Sequence, residues 1–171
     1  MPELQRLRAD HAPAVLAFEL ANRAYFTEFI SDRGDDFFDH FTERHNALLA
    51  EQDAGLSAFY VLVGDDGSVL GRFNLYDMRD GTAVLGYRVA QHVAGRGVAT
   101  ATVRDLCLLA AARYGLRTIR AATTLSNVAS QRVLIKAGFR PVGPGDIGGK
   151  PATWYQRDLA TSAQPRSGGD A

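Results

Sequence analysis

The sequence has little that would direct the protein to a membrane, to a polyanion or to a disulfide-stabilised fold. Cys107 is its one cysteine, so no disulfide can form within the chain. Lysine plus arginine and aspartate plus glutamate number 19 each, so the net charge provides no general attraction to nucleic acid or anionic lipid. The longest apolar run, residues 106–112, is far too short to span a bilayer, and the first residues lack an apolar signal segment. We therefore expect a cytoplasmic protein that binds neither nucleic acid nor a membrane.

The composition is that of one ordinary globular domain. The chain has 171 residues, of which 46% are hydrophobic, and this is enough to form a single continuous core. Residues 160–171 consist mainly of small and polar residues, and ordering them would cost more entropy than their burial would return. We predict one domain over residues 1–159, followed by a disordered tail over residues 160–171.

Apolar spacing predicts a mixed α+β fold with the element order βααβββαβαββ. Two amphipathic helices occupy the first third of the chain, and helices also follow at Val98–Tyr114 and at residues 127–137. Strand patterns occupy six further runs: Ala58–Val63, residues 69–76, Thr82–Val89, Thr118–Thr124, residues 139–142 and residues 153–158. The strands on either side of Val98–Tyr114 form a βαβ unit, which is parallel, inside a sheet that is otherwise antiparallel.

A turn with two glycines joins the strand that ends near Val89 to the helix that begins near Val98. Gly95 and Gly97 lack Cβ, so backbone N–H groups can approach an anion, and the helix N-terminus adds a partial positive charge. Two glycines alone also fit an ordinary strand-to-helix turn. A Rossmann fingerprint is disfavoured because Thr100 takes the place of its third small residue and residues 117–124 contain no acid. A P-loop is disfavoured because Gly149-Lys150 is followed by proline.

Two longer motifs make this turn more specific. They read Leu85-Gly86-Tyr87 with His92-x-x-Gly95-x-Gly97-x-Ala99, and Asn127-x-x-Ser130-x-x-Val133-Leu134-x-Lys136-Ala137-Gly138-Phe139. Together they resemble the GNAT acetyltransferases, and within them the ribosomal-protein-alanine N-acetyltransferase branch. The resemblance implies a mostly antiparallel sheet of about seven strands with helices on both faces. It also implies an open seam between the strand at residues 87–89 and the strand Thr118–Thr124.

The resemblance further implies acetyl-CoA as the co-substrate, and no metal. Backbone amides of residues 94–100 would hold the coenzyme A pyrophosphate, and the strand near Tyr87 would pair with the pantetheine arm. His92 stands where the family usually has glutamine or arginine, and we favour a phosphate-binding role for it. The full set of predicted cofactor-binding residues is Arg88, Val89, His92, Val93, Ala94, Gly95, Arg96, Gly97, Val98, Ala99, Thr100, Asn127 and Ser130.

The resemblance assigns catalysis less completely than cofactor binding. Ser130 matches the serine placed to protonate the departing thiolate, and Tyr87 is the second catalytic candidate. A glutamate that many relatives carry is replaced by Val84, and a tyrosine that others use as an acid is replaced by Leu134. The general base therefore stays open among Tyr87, His92 and the carboxylates Asp77, Asp80, Glu19 and Glu28.

The predicted activity is acetyl transfer from acetyl-CoA to a primary amine, either a protein N-terminus or a small molecule, by direct attack in a ternary complex. The predicted assembly is a monomer or a homodimer. An acidic cluster, Asp32, Asp35, Asp36 and Asp39, is either a site of attraction for a cationic amine or a solvated loop. A non-catalytic acyl-CoA-binding protein is the alternative, because the glutamate and the tyrosine are missing. A nucleotide-binding oxidoreductase is disfavoured for the reasons given for the Rossmann fingerprint.

Overall fold

A computed structural model describes residues 1–160, so the predicted tail lies outside the described residues except for Ala160. Its strands form one seven-stranded sheet in the order β1-β2-β3-β4-β5-β7-β6. The strands are β1 (Glu3–Arg6), β2 (Ala58–Val63), β3 (Val69–Arg79), β4 (Thr82–Val89), β5 (Thr118–Thr124), β6 (Arg140–Ile147) and β7 (Lys150–Asp158). The helices are α1 (Ala12–Ala21), α2 (Arg23–Phe26), α3 (Asp35–Asp39), α4 (Phe41–Asp53), α5 (Val98–Tyr114) and α6 (Val128–Lys136).

The pairing of β4 with β5 is the one parallel pairing in the described sheet, and it is short. It joins Thr82 to Thr118, Ala83 to Ile119 and Val84 to Arg120, whereas β4 pairs with β3 as far as Val89. Beyond Val84 the two strands separate, so residues 85–89 of β4 have a free edge on the β5 side. This is the open seam that the family resemblance implied.

Each face of the sheet is covered by its own apolar core because strand residues alternate between faces. On β2, Tyr60 and Leu62 pack with the α5 residues Val103 and Leu106. Their neighbours Phe59 and Val61 pack instead with residues of α1, α2, α3 and α4. Helices on both faces are therefore confirmed, and so is the predicted mixed sheet.

The first helical region is more divided than the sequence predicted. The chain forms α2 directly after α1, and the predicted second helix is split into α3 and α4 by His40, whose φ of −114° departs from helical values. The predicted order of the principal elements is confirmed, with these two short helices added.

The last hairpin is longer than predicted. The predicted strands, residues 139–142 and 153–158, do not include the Gly/Pro segment between them, but residues 143–147 of that segment belong to β6. The turn lies at Gly148 and Gly149, whose φ values are +57° and +82°. β6 lies at the edge of the sheet, where a proline without N–H is tolerated. Gly145 leaves room for Trp154, since a Cβ at residue 145 would lie 2.7 Å from its ring.

Within the described range, no helix combines the length and the apolar character that crossing a bilayer requires. Cys107 lies on the buried face of α5 and is 2% exposed. Among residues 1–160, no three or more His, Cys, Asp or Glu side chains are grouped as a metal site would need.

Candidate active site

A cleft of about 380 Å³ opens where β4 and β5 separate. Its walls come from the α2 region, the free end of β4, the glycine turn and α6. The residues that line it are Tyr25, Phe26, Phe29, Ile30, Tyr87, Arg88, Val89, Val93, Ala94, Gly95, Gly97, Ala99, Thr100, Asn127, Ala129, Ser130, Arg132, Val133 and Lys136. The sheet topology therefore joins residues that are far apart in the sequence around one opening.

The glycine turn has the backbone conformation that anion binding requires. Gly95 and Gly97 have φ values of +76° and +77°, which residues with a Cβ rarely adopt, and no side chain crowds either position. Gly97 is the left-handed N-cap of α5. The N–H groups of residues 95–100 donate no hydrogen bond to another of the described residues, whereas Ala101 donates to the Gly97 carbonyl. These N–H groups and the start of a 17-residue helix fit a phosphate group.

Tyr87 and Ser130 meet in the same cleft. The Tyr87 hydroxyl lies 2.9 Å from Ser130 Oγ, and the Tyr87 ring stacks on Phe73 with a centroid distance of 5.7 Å. Burial raises the pKa of Tyr87 to about 12, although the hydrogen bond with Ser130 opposes that shift. Tyr87 therefore keeps its proton near neutral pH, which suits a hydrogen-bond donor better than a base.

Asn127 holds Ser130 from the start of α6. Its Oδ1 accepts the Ser130 backbone N–H at 3.2 Å, which is an N-cap contact. This contact fixes the first turn of α6 against the end of β5 and thereby sets the position of the Ser130 hydroxyl. The N-cap contact does not exclude a further contact of the Asn127 side chain with a bound cofactor.

Most of the residues predicted to bind the cofactor line the cleft, but three do not. Arg88, Val89, Val93, Ala94, Gly95, Gly97, Ala99, Thr100, Asn127 and Ser130 contribute to its wall. His92, Arg96 and Val98 lie outside the lining, and His92 and Arg96 are exposed to solvent. The backbone of Arg96 and Val98 still belongs to the turn, so their predicted roles depend on N–H groups and not on side chains.

The cleft also contains residues that the sequence analysis did not identify. From α6 they are Ala129, Arg132, Val133 and Lys136. Counted from Ala129, the other three follow at i+3, i+4 and i+7, which places the four on one face of α6, and that period was a usable signal. From the α2 region they are Tyr25, Phe26, Phe29 and Ile30. No sequence signal relates these four to β4, which follows more than fifty residues later.

Glu19 is buried on α1 and is not the loop carboxylate that we considered as a base. Its side chain is 1% exposed, and its two oxygens accept hydrogen bonds from Arg33 at 3.1 Å, Arg72 at 2.9 Å and Arg88 at 3.3 Å. Burial would raise the pKa of Glu19, but the three guanidinium groups outweigh burial and hold this pKa below 4.5. These contacts favour a permanently ionised carboxylate. We call Glu19, Arg33, Arg72 and Arg88 the arginine cluster.

Three residues of the acidic cluster, one in the loop before α3 and two in α3, already form ion pairs with neighbouring arginines. Arg23 binds Asp32 at 2.7 Å and Asp35 at 2.9 Å, and Arg44 binds Asp36 at 2.9 Å. These pairs favour the interpretation of a solvated loop over that of an acceptor site. Asp77, Asp80 and Glu28 are exposed, and none of them lines the cleft.

Comparison with known proteins agrees with this architecture. Residues 3–140 match the family model described as the acetyltransferase (GNAT) domain. The probable N-acetyltransferase YjcK of Bacillus subtilis is 28% identical over 146 residues, covering 80% of this chain and 79% of the relative.

Two solved structures show the same fold at low sequence identity. A ribosomal-protein-S5-alanine acetyltransferase from Vibrio fischeri superposes with a TM-score of 0.85 at 18% identity, covering 92% of each chain. RimJ of Mycobacterium smegmatis, solved with a CoA disulfide, gives a TM-score of 0.81 at 22% identity and covers 91% of this chain and 80% of its own. Since the family model spans most of the sequence, the chain belongs to the GNAT acetyltransferase family, as the two motifs predicted.

Proposed function

We propose that this protein transfers an acetyl group from acetyl-CoA to a primary amine by direct attack in a ternary complex. One observation carries the proposal. A single cleft is lined both by the glycine turn with its free N–H groups and by the hydroxyl pair of Tyr87 and Ser130, and the free edge of β4 lies between them. An anion site and a proton-donor site are thus joined by an unpaired strand edge.

The turn is the part of the chain that would hold the coenzyme A pyrophosphate. Its N–H groups are directed to no protein acceptor, and its two positive-φ glycines keep side chains away from the approaching phosphates. Alternate N–H and carbonyl groups of residues 85–89 would bind the amide groups of a pantetheine arm as a neighbouring strand would. RimJ of Mycobacterium smegmatis, which shares the fold, was solved with a CoA disulfide, and this supports the assignment.

The transfer makes three demands on the protein: the amine must be neutral, the carbonyl oxygen must be stabilised, and the departing sulfur must receive a proton. Acetyl-CoA supplies the activated acetyl group as a thioester. Ser130 would donate this proton. Tyr87, protonated because its pKa is about 12, would replace it through the 2.9 Å contact between the two hydroxyls. An N–H on the free edge of β4 would stabilise the carbonyl oxygen. The thiol has a pKa of about 8.5, so the proton donor assists departure and is not indispensable.

The acceptor is a protein N-terminus or a small molecule with a primary amine. The similarity of the fold to a ribosomal-protein-S5-alanine acetyltransferase supports a protein N-terminus.

Binding and turnover together test the proposal. Acetyl-CoA at 100 times its Kd should stabilise the protein by about 2.7 kcal/mol in a thermal-shift assay, whereas NAD should not stabilise it. A mixed panel of amines and peptides should then release free thiol faster than acetyl-CoA hydrolyses alone. Stabilisation without release would favour the non-catalytic acyl-CoA-binding alternative. Stabilisation by NAD but not by acetyl-CoA would reject both.

A further inference from the structure

The arginine cluster contains more positive charge than negative charge. Three guanidinium groups share the single carboxylate of Glu19, so two positive charges remain uncompensated in a largely buried position. Asp32 lies at the same small surface depression, but Arg23 already binds it through two hydrogen bonds of 2.9 and 2.7 Å. Charge without a counter-charge is costly where it is largely buried, so an additional anion would stabilise the cluster.

Arg88 is the member of the cluster that reaches the cleft. Its side chain is 18% exposed and lines the cleft, and its guanidinium carbon lies 4.6 Å from the centre of the Phe26 ring. Only its Nη1 donates to Glu19, and among residues 1–160 its other N–H groups have no acceptor. Burial lowers the pKa of Arg88 to about 10, even though Glu19 opposes this shift. An anion that entered the cleft would therefore find a dehydrated guanidinium with free donors.

Arg88 was among the residues predicted to bind the cofactor, but its side chain lies on the other side of β4 from the remaining predicted cofactor groups, so we reassign it. Consecutive strand residues point to opposite faces, so Tyr87 packs against the α5 core and Arg88 points to the α1 face. Tyr87 and the hydroxyl of Ser130 mark the side where a thioester would lie. Arg88 and Phe26 mark the opposite side of the same free edge, from which an acceptor would approach.

We propose that Arg88, supported by the arginine cluster, selects an acceptor that carries a carboxylate close to its amine. This inference rests on the proposed acetyl transfer and adds the chemical class of its acceptor. Guanidinium groups bind carboxylates through two parallel hydrogen bonds, which fixes the orientation as well as the charge of the acceptor. The same positive charge disfavours a protonated amine beside it, so it helps to present the amine in its neutral, nucleophilic form. Polycationic amines are poor acceptors at such a site.

Matched acceptor pairs test the selection and distinguish its two possible sources. One pair is the peptide amides Ala-Glu-Ala and Ala-Gln-Ala, and the other is free alanine and alaninamide, with rates referred to the neutral amine. In at least one pair, the carboxylate-bearing member should have a kcat/KM at least about tenfold higher. Discrimination in the peptide pair alone identifies an acidic N-terminus, and discrimination in the alanine pair alone identifies a small amino acid. Equal values in both pairs, or faster acetylation of spermidine, would overturn the proposal.

Arg88→Gln tests the residue itself. This variant should lose the preference for the anionic member, with the change in KM larger than that in kcat. Its Kd for acetyl-CoA should stay within about threefold of the original value. Calorimetry on the protein bound to CoA should detect the anionic acceptor, and Arg88→Gln should abolish that heat. A comparable loss of acetyl-CoA affinity would instead place Arg88 in the cofactor site and overturn the proposal.

Two further variants keep the test decisive. Arg120 on β5 stacks on Trp154 and does not line the cleft. Arg120→Gln should therefore preserve the acceptor preference. If Arg88→Gln does not fold, Arg33→Gln removes the most exposed member of the cluster and should lower the preference. Release of no thiol with any amine would refute acetyl transfer itself. Release with neutral and anionic amines alike would refute only the selection.

Discussion

The two walls of the cleft are built in different ways. The wall that we propose binds the cofactor, here called the cofactor wall, is made mainly of backbone: a strand edge without a partner and a turn whose two glycines expose N–H groups at the start of α5. The wall that we propose faces the acceptor presents the side chain of Arg88. Behind it, Glu19 joins Arg88 to side chains from the loop after α2 and from β3. The first wall binds through groups that every residue has, and the second through charges that only particular residues supply.

Because of this difference, the two walls suit different kinds of ligand. A backbone wall suits a constant ligand, since its geometry depends on glycine at two positions and tolerates change in the neighbouring side chains. A wall of charged side chains can be altered by single substitutions, so it is the part that sets specificity within a shared fold. Substitutions in the two walls should therefore have different effects on binding and on stability.

The largest effect is expected from Glu19→Gln, which removes the anion at the centre of the side-chain wall. Three largely buried guanidinium groups would lose their shared partner, and such a loss costs about 3–5 kcal/mol. Urea denaturation should measure this loss in the free energy of unfolding. Asp10→Asn is the matched control, because it removes a carboxylate that pairs with Arg8 on the exposed surface, and its effect should be small.

The pH dependence of stability gives an independent measurement of the same pair. Since the pKa of Glu19 is lower in the folded protein than the ordinary 4.5, its contribution is fully present above about pH 4.5. The contribution is lost as the pH falls through the lower folded pKa. Below pH 4.5 the stability of Glu19→Gln should therefore fall less steeply than that of the original protein. If stability fell in parallel for the two proteins, the contribution of Glu19 to stability would not depend on its charge.

The contrast between the walls also explains which site residues could be predicted from the sequence. Gly95 and Gly97 lie between a strand pattern and a helical pattern, so their positive φ and free N–H groups could be anticipated from local chemistry. Ser130 and Asn127 came from a motif of similarly short range. Glu19 could not be placed in this way, since its contacts with Arg72 and Arg88 span 53 and 69 residues.

The fold was predictable to the same extent: elements with a clear local pattern were predicted, and elements without one were not. Strands and long helices with a clear apolar period were predicted, and the seven-stranded sheet with helices on both faces is confirmed. The helices α2 and α3 have four and five residues, too few to establish a period, and the sequence did not reveal them. β6 was shortened in the prediction because glycine and proline indicate loops, whereas the edge of a sheet accepts them.

The cofactor wall should fail through binding and not through stability. In Gly97→Glu, a carboxylate would enter the turn at a φ of +77° and repel a phosphate there, so the Kd for acetyl-CoA should rise by more than about 100-fold, or about 2.7 kcal/mol. Calorimetric titration would measure it. Gly115→Glu places the same residue at a φ of +63° at the other end of α5, so it imposes similar backbone strain away from the cleft. If both variants lost affinity equally, backbone strain would explain the effect, and the turn would not be the pyrophosphate site.

The smallest effect is expected where the two walls meet, at the hydroxyl pair. Ser130→Ala should lower kcat by about 10- to 100-fold, the lower end for acid catalysis, because the thiol leaves readily. Its Kd for acetyl-CoA should change by less than about threefold, since the Asn127 contact is to the Ser130 backbone and survives the substitution. Equal losses of turnover and binding would make Ser130 a structural part of α6.

Tyr87→Phe removes the other hydroxyl and should lower kcat without adding to the effect of Ser130→Ala, because the two groups act through one 2.9 Å contact. With a pKa of about 12, Tyr87 stays protonated throughout the neutral range, so the original protein and Tyr87→Phe should share the same pH dependence of kcat below about pH 11. A limb near neutral pH that disappears in Tyr87→Phe would identify the tyrosine as the base. An unchanged limb would show that the group titrating near neutral pH is not Tyr87.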